Sequence, residues 1–478
     1  MNATWRRVLR ACGAVALVGG LSPACADTAP PLPQVLLFVD IDAPTIEQSR
    51  ADPEVSQDAV IDTVRVDLLD REDRPIDVRE ATATGQRDWP VSFGIVPSAS
   101  GGPVRLRIRA FRAADASSAI VNDATVLQPQ TELAIDRVVE LAPPPANTVD
   151  RRLVFLASDC IGRPPSFRTR TSCIDATRLD SGFQNGIVQV DGAPATRAGT
   201  WSLARELPCS APADAQRVCV PGGISTMGSR LANGLADGVV TVSALPLRQT
   251  AVQPFLMDKY EFTVARARPL LAKLTTAAPS RKDSPGIQDS QYCTLSDDPA
   301  ADNMPLNCLK LPTAQELCQL AGGDLPTEAE WNHAAAGRGE RRRYPWGESH
   351  AGCCNASMSR VSKFLPRASQ CDADGPEPVG SHPATDTCAG DVSRDGVFDM
   401  GGSLGELVTG AALPLDDACW GDPFALLRQP LCTAPPPFDF SKRGGAWSNG
   451  ILTATVAIRG AAGMNPATGF RCVYRGGR

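Results

Sequence analysis

Sixteen cysteines are distributed along this chain of 478 residues. Cysteines form disulfides, bind metals or carry redox chemistry, and the cellular compartment decides between these uses. The amino terminus indicates export, because Arg6, Arg7 and Arg10 precede a short apolar stretch at residues 11–21, as in a signal peptide. That stretch is too short to span a bilayer as a mature helix. Disulfides are therefore the expected state of most cysteines.

The end of this signal leaves two routes of export open. Residues 1–24 form the expected signal, and Cys25 follows a small residue as in a bacterial lipobox, although Pro23 departs from that pattern. Lipidation of Cys25 would attach the protein to the outer membrane or cell surface, whereas simple cleavage would leave it periplasmic or secreted. Cys12 leaves with the signal. If Cys25 carries lipid, fourteen cysteines remain, an even number that suits seven disulfides.

Charge and hydropathy exclude two classes of protein. The formal net charge is −6, so the chain has no basic surface for nucleic acid. Mean hydropathy is −0.13 and no internal apolar run is long enough to cross a membrane, which excludes a multi-span membrane protein. The length favours two or three domains.

The amino-terminal half predicts an all-β sandwich-like domain at residues 34–147, after a linker at 25–33. Short strand patterns recur at 35–39, 64–69, 89–96, 104–111 and 135–141, separated by turn residues. In residues 104–111 apolar residues alternate with Arg105, Arg107 and Arg109. This period of two predicts a half-buried strand with its arginines on a solvated outer face.

A connector at residues 148–217 follows, with a strand at 152–156 and two close cysteine pairs. Their spacing in loop-rich sequence predicts the local disulfides Cys160–Cys173 and Cys209–Cys219. Helical patterns enter only beyond this connector, at 314–321 and 327–336. Thr327 precedes acidic first-turn residues there, as a helix N-cap does.

Six motifs follow one another after residue 218. They are Cys219-Val-Pro-Gly-Gly-Ile-Ser-Thr-Met-Gly228, Phe255-Leu-Met-Asp-Lys-Tyr-Glu-Phe-Thr-Val264, Leu325-Pro-Thr-Glu-Ala-Glu-Trp331, Tyr344-Pro-Trp-Gly347, Arg443-Gly-Gly-Ala-Trp447 and Gly469-Phe-Arg-Cys472. Together, in this order, they resemble the sulfatase-modifying-factor family of formylglycine-generating enzymes and relatives. The resemblance covers residues 218–478 and implies an α+β fold, the irregular architecture related to C-type lectins.

The resemblance also implies where a catalytic metal would bind. Enzymes of this family hold copper(I) with two cysteines, five residues apart, shortly after the Arg-Gly-Gly motif. Counted from Arg443, the matching positions are Asn449 and Ala454, and no cysteine occurs between Cys432 and Cys472. An amide and a methyl group cannot replace thiolates. We therefore expect no copper, no catalytic residues and no cofactor-binding residues.

The histidines of the chain do not predict a second kind of catalytic metal site. Another enzymatic branch of the superfamily binds a non-haem iron through three histidines. This chain has only His333, His350 and His382, scattered without the helical ligand spacing of that branch. Packing or surface roles are therefore expected for all three.

A structural calcium is the metal that the resemblance leaves in place. The ligand positions carry over as the side chain of Asp399, the carbonyl groups of Gly402 and Leu404, and the carboxylate of Glu406. Carboxylates with backbone oxygens suit calcium. The alternative is that Asp399 and Glu406 merely cap and solvate a loop.

The resemblance further implies a disulfide between Cys318 and Cys472, which would close most of the domain. Proximity favours Cys293–Cys308 and Cys419–Cys432. Four cysteines remain, and because adjacent cysteines seldom bond each other, two crossing links are expected, with a four-cysteine zinc site as the alternative. These four are Cys353, Cys354, Cys371 and Cys388.

Three functions follow as hypotheses. The first is an exported binding or structural protein whose catalytically silent domain recognises a peptide, glycan or protein, with membrane attachment through a lipidated Cys25. The second is a formylglycine-generating-type oxidoreductase acting on a cysteine of a sulfatase or other protein. The third places the function in the amino-terminal domain as an adhesive or assembly module.

Overall fold

The computed structural model describes eleven stretches of the chain, which begin after the predicted signal. The predicted signal at residues 1–24, Cys25 and nearly all of the predicted linker lie outside these stretches. Of the three histidines, His350 also lies outside them. The described residues are 33–51, 61–97, 102–175, 178–229, 244–286, 289–349, 352–361, 371–422, 425–433, 440–461 and 465–476.

Two four-stranded sheets build the amino-terminal half, which has the expected sandwich-like form. Their strands are β1 Gln34–Ile41, β2 Thr63–Leu69, β3 Pro75–Thr82, β4 Val91–Ile95, β5 Val104–Phe111, β6 Ala116–Val121, β7 Ala124–Pro129, β8 Ile135–Leu141, β9 Val149–Leu156, β10 Thr171–Asp175, β11 Arg178–Ser181 and β12 Ile187–Gln189, with helix α1 at Ile46–Ala51 after β1. One sheet has the order β12-β9-β1-β4 and the other β3-β2-β5-β8. Alternate side chains such as Leu37 of β1 and Leu106 of β5 share one buried core, which explains the period of two in the sequence.

The first sheet extends beyond residue 147. β9 pairs in parallel with β1, from Gln34 opposite Val149 to Ile41 opposite Leu156, and β12 continues the sheet on the far side of β9. Residues assigned to the connector from the sequence therefore supply half of this sheet.

The expected solvated arginine face is wrong. Arg105 and Arg109 are each less than a tenth exposed, Arg107 is half-buried, and Arg65 of the neighbouring strand β2 is buried beside them. The β6–β7 hairpin and residues near β10 cover this face of the sheet. Arg65 donates to the Leu127 carbonyl of β7 at 2.9 Å and to Asp67 at 2.7 Å, and Arg109 also pairs with Asp67. The row of arginines forms a ladder of largely buried ion pairs. An alternating sequence pattern alone cannot distinguish such a ladder from a solvent-exposed row of arginines.

Small sheets and short helices make up the carboxyl-terminal half, an α+β arrangement as expected. Its strands are β13 Arg217–Val220, β14 Gly223–Met227, β15 Arg248–Val252, β16 Phe255–Asp258, β17 Arg360–Val361, β18 Cys371–Asp374, β19 Gly405–Thr409, β20 Leu427–Arg428, β21 Phe440–Arg443, β22 Arg459–Ala461, β23 Thr468–Gly469 and β24 Val473–Arg475, and its helices are α2 Val264–Ala267, α3 Leu311–Leu320 and α4 Glu328–Ala335. The sheet of order β22-β21-β19-β23 brings the last motifs together. Helix α4 begins as predicted, because the Thr327 hydroxyl accepts from the Glu330 amide while the Glu330 carboxylate accepts from the Thr327 amide.

Disulfides link all fourteen cysteines of the described residues. The five pairs expected from the sequence are brought together, including the long-range pair Cys318–Cys472. The remaining four cysteines form two crossing links, Cys353–Cys371 and Cys354–Cys388, rather than a zinc site. Seven disulfides fit an extracellular or periplasmic protein.

No described helix combines the length and apolarity needed to cross a lipid bilayer.

Candidate functional site

Arg443 of the Arg-Gly-Gly motif is a buried anchor. It ends β21, is fully inaccessible to solvent, and donates to the Glu328 carboxylate at 2.9 Å. The same carboxylate accepts from Arg459 at 2.5 Å and 3.0 Å. Burial raises the pKa of Glu328, but Arg459 and Arg443 outweigh it, and the net shift is downward. The carboxylate is therefore ionised and ties helix α4 to β21 and β22.

Gly444 permits this geometry. Its φ is 76°, and a side chain there would meet the Met400 carbonyl oxygen at 2.7 Å. The glycine of the motif therefore serves close backbone packing.

A second buried ion pair joins the Gly-Phe-Arg motif to the central strand. Arg471 donates through Nε to both carboxylate oxygens of Glu406, at 2.8 Å and 2.9 Å. Trp331 of α4 donates its indole N–H to Glu406 at 2.6 Å. Glu406 lies in β19, opposite Arg443 of β21 and Gly469 of β23. Three motifs distant in sequence thus meet around one carboxylate.

Two further buried carboxylates, Glu261 and Asp391, lie near this pair. Glu261 accepts from the Leu404 amide at 2.9 Å and the Ser403 hydroxyl at 2.8 Å, and Asp391 accepts from the Gly401 and Gly402 amides. Burial, assisted by nearby acidic groups, raises the pKa of Glu261 well above its usual range and that of Asp391 to about 7. Burial at these positions therefore disfavours the ionised forms of both carboxyl groups.

The predicted calcium ligands Asp399 and Glu406 lie in this region, and each already has hydrogen-bond partners. Asp399 is buried, has a left-handed φ of 62°, and accepts from the Gly380 amide at 2.7 Å. Burial raises the pKa of Asp399 to about 6. Both oxygens of Glu406 are engaged by Arg471 and Trp331, so these residues as arranged do not complete a calcium site. Within the described stretches, no three acidic, histidine or cysteine side chains converge as a metal centre requires. Calcium here requires Glu406 to release Arg471, and it stays a prediction.

The positions matched to the copper ligands hold no sulfur. Asn449 is half-buried, and its backbone bonds to the Ala446 carbonyl at 2.9 Å and the Ser359 amide at 2.8 Å. Ala454 is 1% exposed and packs among apolar side chains that include Tyr344, Trp346 and Met358. Every cysteine of the described residues is in a disulfide, so the fit of a copper(I) ion to this part of the chain is poor.

The two described histidines lie in different parts of the domain and contact different segments. His333 is fully buried on α4, its Nε2 is 2.9 Å from the Pro221 carbonyl oxygen, and burial lowers its pKa to about 4. His382 lies 2.8 Å from Glu377 through Nε2 and 3.2 Å from the Cys354 carbonyl through Nδ1. Neither belongs to a metal centre among the described residues.

Sequence reasoning missed the residues that hold the motifs in place. Glu328 lies inside the Leu-Pro-Thr-Glu motif, so its position was visible, but its partners Arg443 and Arg459 lie 115 and 131 residues away. Glu261 also lies inside one of the six motifs, but its partners Ser403 and Leu404 lie 142 and 143 residues away. Asp391 stands in no pattern that distinguishes it from a surface acid.

Comparison with known families gives one match that covers more than half of the chain. The sequence profile described as "Sulfatase-modifying factor enzyme 1-like domain" matches residues 205–475. Hercynine oxygenase from Mycolicibacterium thermoresistibile is 36% identical over 80 residues, which make up 16% of this chain and 16% of that protein. The chain therefore matches about one sixth of the length of this curated relative.

Solved structures show more distant likenesses. PvdO from Pseudomonas aeruginosa is 17% identical with a TM-score of 0.38, over 54% of this chain and 94% of the other. Treponema denticola variable protein 1 is 15% identical with a TM-score of 0.37, over 54% of this chain and 95% of the other.

Proposed function

Because this chain belongs to the sulfatase-modifying factor enzyme 1-like family, we propose that its family domain acts as a non-catalytic binding or structural module of an exported protein. The proposal rests on the absence of cysteine at the two positions matched to the copper ligands. No cysteine lies between Cys432 and Cys472, and Ala454 is packed beneath aromatic side chains where the family's second copper ligand is expected. A buried methyl group and a half-buried amide supply neither a thiolate nor a redox centre.

The domain keeps its framework without that chemistry. The ion pairs of Glu328 and Glu406 hold the motif strands in a fixed arrangement, and the disulfides close the loops between them. Such a frame suits recognition of a peptide, glycan or protein, while the negative net charge disfavours nucleic acid. Lipidation at Cys25 would hold the module at a membrane surface, and this belongs to the proposal.

The alternative is an oxidoreductase. It is favoured by family membership and by the short match to hercynine oxygenase, a name that describes only that relative. Iron bound by histidines requires three ligands at one position, and His333 and His382 engage different segments. The alternative therefore has less support than a silent domain.

A peptide-oxidation assay separates the two. The purified mature chain is titrated with copper(I) and then incubated in air with a cysteine-containing sulfatase peptide, while an aldehyde-reactive probe detects formylglycine. We expect neither stoichiometric copper binding nor aldehyde. The double variant Asn449→Cys with Ala454→Cys is the matched control, and it should gain copper(I) binding if the missing pair is the cause. Aldehyde formation by the unmodified chain would overturn the proposal.

A further inference from the structure

A cavity of about 660 Å³ lies where the amino-terminal half meets the family domain. Ala114 and Leu133 line it from the amino-terminal half, and Ala336, Val456 and Ala457 line it from the family domain. This volume is typical of sites that bind small molecules. Residues 455–457, which directly follow Ala454 in the sequence, line the cavity. None of the residues matched to the family's metal ligands lines it.

An arginine-rich turn is held rigidly at this cavity. Gly337, Arg338 and Arg341 all have left-handed φ angles, of 69°, 59° and 54°, which cost energy for the two arginines. Ion pairs hold the turn in this shape. Arg338 pairs with Glu206 of the connector. Arg341 of the family domain pairs with Asp115 of the amino-terminal half at 2.6 Å. The backbone that carries Arg341, Arg342 and Arg343 is thereby held at the cavity wall.

Among the described residues of the wall, the acidic groups leave the guanidinium of Arg343 available. Asp115 is engaged by Arg341, and Glu340 accepts from Arg342 at 2.6 Å. Glu348 accepts from the backbone amide of Arg343 at 2.8 Å. The guanidinium of Arg343 is exposed, stacks over the Tyr344 ring at 5.3 Å, and has no carboxylate partner within the described part of the chain. A positioned arginine of this kind recognises carboxylate and phosphate groups.

We propose that this cavity binds a small organic anion, a carboxylate or phosphate ester with an apolar body. Arg343 would hold the anionic group, while Leu133, Leu247 and Val456 supply apolar surface for the remainder. The inference rests on the proposed binding role of the family domain and gives that role a site and a ligand class. Because both halves line the cavity, the bound anion would also tie them together.

Calorimetry with matched probes tests the ligand class. The full mature chain is titrated with 3-phenylpropionate, with phenyl phosphate and with the neutral 3-phenylpropionamide. We expect binding of at least one anion, with the amide weaker by about tenfold or more. The two anions distinguish carboxylate from phosphate recognition. Equal binding of the amide, or no binding of either anion, would overturn the proposal.

Three variants locate the binding. Arg343→Gln should weaken anion binding by about tenfold and leave the amide unchanged. Ala114 is exposed, so Ala114→Trp narrows the cavity without disturbing the core and should abolish binding. Arg281→Gln removes an exposed arginine that pairs with Asp297 and does not line the cavity, and it should bind like the unmodified chain. Binding unaffected by the first two variants, or weakened equally by the third, would place the anion elsewhere.

The oxidation assay described above keeps the two failures distinct. Peptide oxidation with intact anion binding would remove the silent-domain proposal alone. Failed anion binding without peptide oxidation would remove the cavity inference and leave the silent domain standing.

Discussion

Buried charged side chains do the structural work of the family motifs. Arg443 and Arg471 are both fully buried, and each is paired with a carboxylate supplied by a distant part of the chain. Removing one partner of such a pair leaves an uncompensated buried charge, a large cost. The sequence shows these arginines as motif letters but not their partners, because pairing depends on how strands β19, β21 and β23 come together.

His333 predicts a specific loss of stability in acid. Its pKa is about 4 in the folded chain because of burial, against 6.5 when unfolded. Both states hold a neutral imidazole above the unfolded value. Below it the unfolded chain takes up a proton that the folded chain refuses, so the free energy of unfolding falls. Between about pH 7.5 and pH 5 this residue should cost roughly 2 kcal/mol.

The measurement is urea unfolding of the wild type and His333→Gln at both pH values. We expect a smaller acid-induced loss in the variant. His382→Gln is the control: burial lowers the pKa of His382, but Glu377 outweighs it and the net shift is upward, so this variant should not reduce the loss. Identical pH dependence in wild type and His333→Gln would show that protonation of His333 does not govern acid stability.

At the scale of elements, local patterns predict segments better than their surroundings. Helix α4 and strands such as β5 follow from capping and alternation, which depend on neighbouring residues. Local patterns could not predict that the arginine face is covered by the β6–β7 hairpin. The contact is made by the carbonyl of Leu127, which accepts from Arg65 sixty-two residues earlier in the chain. An alternating strand shows which residues share a face, and only the tertiary fold shows which face is wet.

The predicted calcium site belongs to the loop and strand that run from Asp399 to Glu406. Burial raises the pKa values of Asp399 and Asp391, so their ionised forms are disfavoured without a counter-charge. A divalent cation would supply that charge and stabilise the fold if Glu406 exchanged its partner. Calcium chloride should then raise the melting temperature relative to a chelator. Ligand at a hundred times its dissociation constant contributes about 2.7 kcal/mol.

The effect should be larger near pH 8 than near pH 5.5, because the pKa of Asp399 is raised to about 6 and protons then compete with the ion. Asp399→Asn should lose the response, whereas Asp77→Asn, on an exposed part of β3, should keep it. An unchanged melting temperature in the wild type, or an equal rise in Asp399→Asn, would refute the calcium site.

On the scale of the whole molecule, the two halves are joined by ion pairs as well as by the chain. Arg163 pairs with Asp422 at 2.8 Å, and Arg341 with Asp115 at 2.6 Å. The family motifs made the carboxyl-terminal fold predictable, because their order is specific. The way the halves meet was not, since the amino-terminal half lies outside the family match and its contacts join residues hundreds of positions apart.

The disulfide Cys318–Cys472 should stabilise the molecule more than any short-range pair of comparable burial. It joins residues 154 positions apart, whereas Cys293–Cys308 joins residues 15 apart, and all four cysteines are buried. By chain entropy, the long loop should contribute about 5 kcal/mol and the short one about 3 kcal/mol, because cross-linking restricts the unfolded chain more when the loop is longer. Replacing each pair by two alanines removes similar buried sulfur, so the packing costs largely cancel in the comparison. Guanidinium unfolding without reductant measures the difference, expected at about 2 kcal/mol. Equal losses would show that the long disulfide does not act chiefly through the unfolded chain.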